Sequence, residues 1–126
     1  MKPILFVQAR ITSKRFPKKI LSKIGGLTLL EILLKKLKKI KNIKKIVVVI
    51  PDNKKNDLLQ KILKKLKIAF FRGSEKNVLE RFYFAAVKFK AKNIIRITAD
   101  CPLIDIKIIN KTIKKFFSGN YDYATN

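Results

Sequence analysis

Apolar residues along this chain recur with two periods in turn, and the switching divides it into four units, each a short strand followed by a helix. Pro3 to Gln8 is a short apolar run that reads as a buried strand, and a polar loop follows from Arg10 to Gly25-Gly26. Thr28 then opens a helix. Thr28 and Glu31 have capping-box spacing, and Leu30, Leu33, Leu34, Leu37 and Ile40 fall on one helical face. Lys45 to Ile50 is a β-branched run stopped by Pro51, the pattern of a second buried strand. Asp52 or Asn53 is placed to cap the next helix, whose Leu58, Leu59, Ile62, Leu63 and Leu66 keep helical spacing.

The pattern then recurs twice. Ile68 to Phe71 reads as a third strand ending at Arg72-Gly73, and Ser74 is placed to cap a helix carrying Val78, Phe82, Ala85, Ala86 and Phe89. Asn93 to Thr98 is the fourth strand, Asp100-Cys101-Pro102 its exit loop, and Asp105 the cap of a helix ending near Gly119. Strands alternating with helices predict an α/β fold: a mostly parallel sheet flanked by helices on both faces and joined by right-handed crossovers. In the doubly wound order 3-2-1-4 the first and fourth strands are neighbours, and ligands bind in the crevice beyond their carboxyl ends. The fourth strand then lies at a sheet edge, where Ile94, Ile95 and Ile97 invite pairing with another chain.

Length and composition add limits. With 126 residues, 48% of them hydrophobic, and no Pro/Gly/Ser-rich linker, residues 1–126 are expected to form a single domain. The sequence after Met1 lacks a signal-peptide pattern, no apolar run approaches the ~20 residues of a membrane span, and Cys101 has no second cysteine; a cytoplasmic protein without a membrane partner is expected. The net charge of +23 points to polyanionic partners. Most of that charge is lysine interleaved with Ile and Leu, as at Lys35, Lys36, Lys38 and Lys39, which is the pattern of solvated helix faces. The absence of histidine excludes Ser-His and Cys-His nucleophile pairs, His-bearing zinc sites and a His general base within the chain.

Into the predicted crevice the topology delivers the loop that begins at Arg10 and the carboxylate of Asp100. Arg10, Arg15 and Lys19 are suited to phosphate oxygens, with Ser13 and backbone N–H groups as neutral donors, and Asp100 offers the hard oxygen that Mg²⁺ takes alongside substrate phosphates. Neither G-x-x-x-x-G-K-[ST] nor G-x-G-x-x-G is present. On residue type alone, solvated loop charges, a turn cap at Ser13 and a turn-forming Asp100 stay open as alternatives.

Three stretches carry a likeness: Gln8-Ala9-Arg10-x-x-Ser13-x-Arg15-Phe16-Pro17-x-Lys19; Phe71-Arg72-Gly73-Ser74-Glu75 with Val78-Leu79-x-Arg81; and Arg96-Ile97-Thr98-Ala99-Asp100-Cys101-Pro102-Leu103-Ile104-Asp105. Together they resemble the cytidylyltransferase family, in particular the spore-coat polysaccharide biosynthesis protein F type, related to CMP-acylneuraminate and CMP-KDO synthetases. The resemblance implies a GT-A-like nucleotidyltransferase (Rossmann-like) three-layer sandwich, present as the N-terminal half of a longer protein and so incomplete. It also implies Mg²⁺-dependent transfer of CMP from CTP to an acidic or amino sugar for surface polysaccharide biosynthesis, with release of pyrophosphate.

By the same resemblance Arg10, Lys19 and Asp100 are the catalytic candidates, and Asp100 is the metal ligand. Ala9, Arg10, Ser13, Arg15, Lys19, Arg72, Ser74 and Thr98 are the nucleotide-binding candidates. Ala99 stands where relatives carry Gly, as do Thr12 and Lys18, so the path of the backbone there is in question. Cys101 is read as packing. The expected partners are CTP, a sugar, and either a second copy of the chain or a missing C-terminal half. Two other readings stay beside this one: a non-catalytic nucleotide-binding fragment or subunit, and a basic nucleic-acid-binding module. The second is disfavoured because the aromatics fall on the third strand and on helix faces and form no stacking ladder.

Overall fold

The computed structural model describes residues 2–11, 19–100 and 103–126. In chain order, β1 (Ile4–Gln8) is followed by a 3₁₀ turn (Lys19–Leu21), a two-stranded ribbon of β2 (Lys23–Ile24) and β3 (Leu27–Thr28), and α1 (Leu29–Leu37). Then come β4 (Ile46–Pro51), a second 3₁₀ turn (Lys54–Asn56), α2 (Asp57–Lys65), β5 (Ala69–Gly73), α3 (Val78–Phe89), β6 (Ile94–Thr98) and α4 (Ile106–Phe117). The main sheet has the order β5-β4-β1-β6 with every pair parallel, which is the 3-2-1-4 arrangement of the four predicted strands.

Alternation along the central strands sorts the side chains into two layers. Leu5, Val7, Val48 and Ile50 pack with Leu30, Leu33, Leu59, Leu63 and Ile109, so α1, α2 and α4 share one face of the sheet. Ile4, Phe6, Val47 and Val49 pack with Phe82 and Ala85 of α3 on the other. Phe6 meets Phe82 edge-on at 5.9 Å between ring centroids. Both central strands are covered on both faces, which is why they read as unbroken apolar runs.

The structure departs from expectation in small, explicable ways. The loop before the first helix contains the β2–β3 ribbon, and Gly25 and Gly26 turn it with φ of 60° and 83°, the pair of positive values that a two-residue hairpin requires. Thr28 caps α1 as expected, accepting the Glu31 N–H at 3.1 Å. Asn53 caps the 3₁₀ turn before α2, accepting the Lys55 N–H. β5 runs on through Arg72 and Gly73 because β4 offers Ile50 and Pro51 as partners, and the Asp52 N–H extends the ladder to the Gly73 carbonyl at 2.7 Å. The cap of α3 is Asn77 rather than Ser74. Asp105 caps α4 through the Lys107 N–H. β6 is an edge strand, with Ile94 exposed and Ile97 buried. No helix among the described residues is long and apolar enough to cross a membrane.

Candidate functional site

The register fixes where the first and fourth predicted strands deliver their following residues. Gln8 stands opposite Thr98, and the Ala99 N–H donates to the Gln8 carbonyl at 2.9 Å, so Arg10 and Asp100 leave adjacent strands at the same level. Neighbouring strands lie about 4.8 Å apart, which puts the two backbones side by side. Alternation also assigns them a common face. Leu5, Val7 and Ala9 of the first strand and Ile97 and Ala99 of β6 belong to the layer shared with α1, α2 and α4. Gln8 and Thr98 therefore fall on the α3 side, and Arg10 and Asp100 follow two residues on from them, past the strand ends. The Gln8 side chain accepts two hydrogen bonds from Arg96, at 3.0 and 2.6 Å, and the Arg96 guanidinium lies over the Phe82 ring of α3.

Arg10 is exposed between two buried residues, Ala9 and Ile11. The backbone on either side of it is tied down. The Ala9 N–H donates to the Val49 carbonyl at 3.1 Å, and the Ile11 N–H donates to Asn56 Oδ1 at 2.9 Å. Ala99 is accommodated without the positive φ that a glycine position would imply, and its methyl lies in the core.

Within electrostatic reach of Arg10 lies Arg81, a residue that the reading of strand ends did not single out. Arg81 is only 2% exposed, and its Nε and Nη2 donate to the carbonyls of Ser74 and Glu75 at 2.8 and 3.1 Å. Burial, together with the positive charge of Arg10 and against the opposing charge of Glu75, holds its pKa below the ordinary guanidinium value. It stays charged at neutral pH. Among the described residues no carboxylate lies within ion-pair distance of either arginine. Gly73 makes the arrangement possible: a Cβ there would stand 2.8 Å from Arg81 Cγ and 2.9 Å from Phe71 Cε1. The signal in the sequence was an arginine on the apolar face of a helix, in step with Val78, Phe82 and Ala85.

The other candidates divide. Lys19 is exposed at the start of the first 3₁₀ turn, next to Ile20, which packs in the same cluster as Ala9 and Ala99. The Ser74 hydroxyl accepts the Asn77 N–H at 3.1 Å, so it shapes the turn that Arg81 holds. Thr98 pairs with Gln8, and both Thr98 and Asp100 make side-chain or backbone interactions within the chain. Arg72 lies on the opposite face of the sheet from Arg10. Its Nη1 donates to Asp57 Oδ1 at 2.7 Å and to Gln60 Oε1 at 2.8 Å, and its Nη2 donates to the Asn53 carbonyl. Its Nε stands 3.2 Å from Asp52 Oδ1, within ion-pair range but without hydrogen-bond alignment. Ser13, Arg15 and Cys101 lie outside the described residues.

Asp100 is exposed, and no cluster of three or more Asp, Glu or Cys side chains able to hold a metal occurs among the described residues. A single carboxylate past a strand end, level with Arg10, is of the donor type that suits Mg²⁺, which binds through one or two carboxylates and completes its shell with phosphate oxygens and water.

A parallel α/β sheet of this strand order with helices on both faces defines a protein of the doubly wound class. The cytidylyltransferase family model matches residues 4–126, and the chain belongs to that family. It is 41% identical over 125 residues to the uncharacterised protein MJ1063 of Methanocaldococcus jannaschii, covering 99% of this chain and 51% of that protein. It is 34% identical to the spore coat polysaccharide biosynthesis protein SpsF of Bacillus subtilis, covering 98% of this chain and 54% of that one. Among solved structures, a cytidylyltransferase from Leptospira borgpetersenii superposes with a TM-score of 0.88 at 35% identity, over 95% of this chain and 50% of the other. The fold is shared with a CMP:2-keto-3-deoxy-manno-octonic acid synthetase solved with CTP, at a TM-score of 0.82 and 16% identity, over 94% of this chain and 48% of that one. The chain spans about half the length of the curated relatives it matches.

Proposed function

We propose that the chain binds CTP on the α3 side of the β1 and β6 ends and supports transfer of CMP to a sugar of the acidic or amino class for surface polysaccharide biosynthesis, releasing pyrophosphate. The observation that carries this reading is Arg10, exposed past the end of β1 at the level of Asp100 and within electrostatic reach of buried Arg81, with no carboxylate at ion-pair distance from either arginine among the described residues. Like charges held together in a partly dry site favour an anion of several charges. Membership of the cytidylyltransferase family supports CTP as that anion.

In this mechanism a sugar hydroxyl attacks the α-phosphorus of CTP, a new P–O bond forms as the bond to the β-phosphate oxygen breaks, and the hydroxyl proton passes to solvent. Arg10 and Lys19 neutralise the triphosphate and the departing pyrophosphate, with Ser13 and Arg15 of the same loop as further donors. Arg81 adds positive potential from beneath and holds the Ser74–Glu75 turn. Thr98 supplies part of the wall of the strand ends on which the nucleotide rests, while Ala9, its methyl buried on the other face, contributes only backbone there. Asp100 holds Mg²⁺, which when bound supplies charge neutralisation to the phosphates. Arg72 contributes through the loop that it fixes. Catalysis is thus chiefly orientation and electrostatics.

The test is pyrophosphate release from CTP and Mg²⁺ with a panel of acidic and amino sugars, each assayed with and without the sugar. Release that depends on one member of the panel supports the reading. Saturable CTP binding with no release under any sugar would assign the chain a binding role only.

A further inference from the structure

Asn56 ends the second 3₁₀ turn, immediately before α2, and its backbone occupies the N-cap position of that helix. Asparagine is among the strongest N-cap residues because its side chain accepts a backbone N–H of the first turn. Here it does not do so: the side chain makes no cap hydrogen bond. It is fully buried, and its Oδ1 is spent instead on the N–H of Ile11, 45 residues earlier in the chain. The amide orientation is fixed by that bond, since only the oxygen can accept from a backbone N–H. Among the described residues Nδ2 has no hydrogen-bond partner, and it stays buried. A side chain that forgoes its local cap and leaves a donor unsatisfied is serving a long-range constraint.

That constraint falls on Arg10. With the Ala9 N–H held by Val49 and the Ile11 N–H held by Asn56, the residue between them is fixed on both flanks while its side chain remains exposed. We infer that Asn56 is a positioning residue that aims Arg10 at the triphosphate. The inference rests on the function proposed above. Asn56 touches no reacting group; it acts through the backbone on which Arg10 stands, and the gain is preorganisation of one cation.

A double-mutant cycle tests this, with affinity for inorganic tripolyphosphate and for CTP measured by calorimetry on the wild type, Asn56→Ala, Arg10→Lys and the double variant. Thermal unfolding and exchange of the Ile11 amide are followed in parallel. Asn56→Ala is expected to weaken binding about tenfold and to speed Ile11 exchange, yet to have almost no further effect once Arg10 is replaced, because residues acting through one another are non-additive. If Asn56→Ala fails to fold, Asn56→Leu, which fills the same space without an acceptor for the Ile11 N–H, takes its place in the cycle. The inference is overturned if the wild type binds, Arg10→Lys is weakened and the Asn56 variant binds like the wild type. It is equally overturned if the Asn56 effect persists in full in the Arg10→Lys background, as a purely structural role predicts. A wild type that binds no triphosphate overturns the proposed site itself, and the inference with it.

Discussion

Two arginine clusters sit at the carboxyl-end side of the same sheet, and they differ in how their charge is balanced. On the α2 side Arg72 meets Asp52, Asp57, Gln60 and the Asn53 carbonyl, so its guanidinium is used up within the chain. On the α3 side Arg81 donates only to carbonyls, with the Glu75 charge acting on it from beyond ion-pair distance, and Arg10 has no carboxylate at ion-pair distance among the described residues. A neutralised arginine is a tether, whereas an arginine without an ion pair inside the chain is, on the function proposed above, half of a binding site. The contrast separates scaffold from site more sharply than residue type, since both clusters look alike as Arg-containing loops after strands.

The largest effect that would break or confirm this contrast is expected at Arg10. Arg10→Ala should weaken Mg-CTP binding by roughly a hundredfold, with the unfolding temperature unchanged, because a charge-assisted phosphate contact is lost from an exposed side chain. Equal affinity in calorimetric titration would remove Arg10 from the site. Next comes Arg81→Leu, which should lower both CTP affinity and stability. Removing it leaves the Ser74 and Glu75 carbonyls without their donor, a cost of about 1–3 kcal/mol visible in urea unfolding. Gly73→Ala should destabilise the fold by about 1–3 kcal/mol, since the new methyl would have to displace Arg81 and Phe71. The smallest effect is expected at Arg72→Ala. Its partners Asp52 and Asp57 are largely solvated, so stability should fall by about 1 kcal/mol or less, with a smaller loss of CTP affinity than Arg10→Ala gives. An Arg72 effect exceeding that of Arg10 would reverse the assignment of the two clusters.

Much of the fold was legible because its signals are local. The β-branched run before Pro51, the Thr28 and Glu31 pair, and Asp105 ahead of an amphipathic helix each specify their element within a few residues, and the strand order followed from parallel connectivity. The β2–β3 ribbon was missed because each of its strands is two residues long and carries no periodicity, although Gly25-Gly26 marks its turn. Arg10 and Asp100 could be placed together from the register alone. Arg81 and Asn56 could not. Arg81 matters because a turn folds back onto it, and Asn56 because it reaches Ile11 beyond the neighbouring strand; the apolar helix face marks Arg81 as buried, but nothing in neighbouring positions names either partner. Arg72 illustrates the converse: its place after a strand suggested a ligand, yet four neighbours on its own face of the sheet absorb it.

The central claim is that Asp100 and Arg10 face one triphosphate from adjacent strands. Its most direct test is calorimetric titration of CTP with and without Mg²⁺ into the wild type and Asp100→Ala. The account predicts that Mg²⁺ tightens binding by about tenfold or more in the wild type and leaves Asp100→Ala unmoved, since that carboxylate is the protein's hold on the ion. The same tightening in both proteins would contradict it.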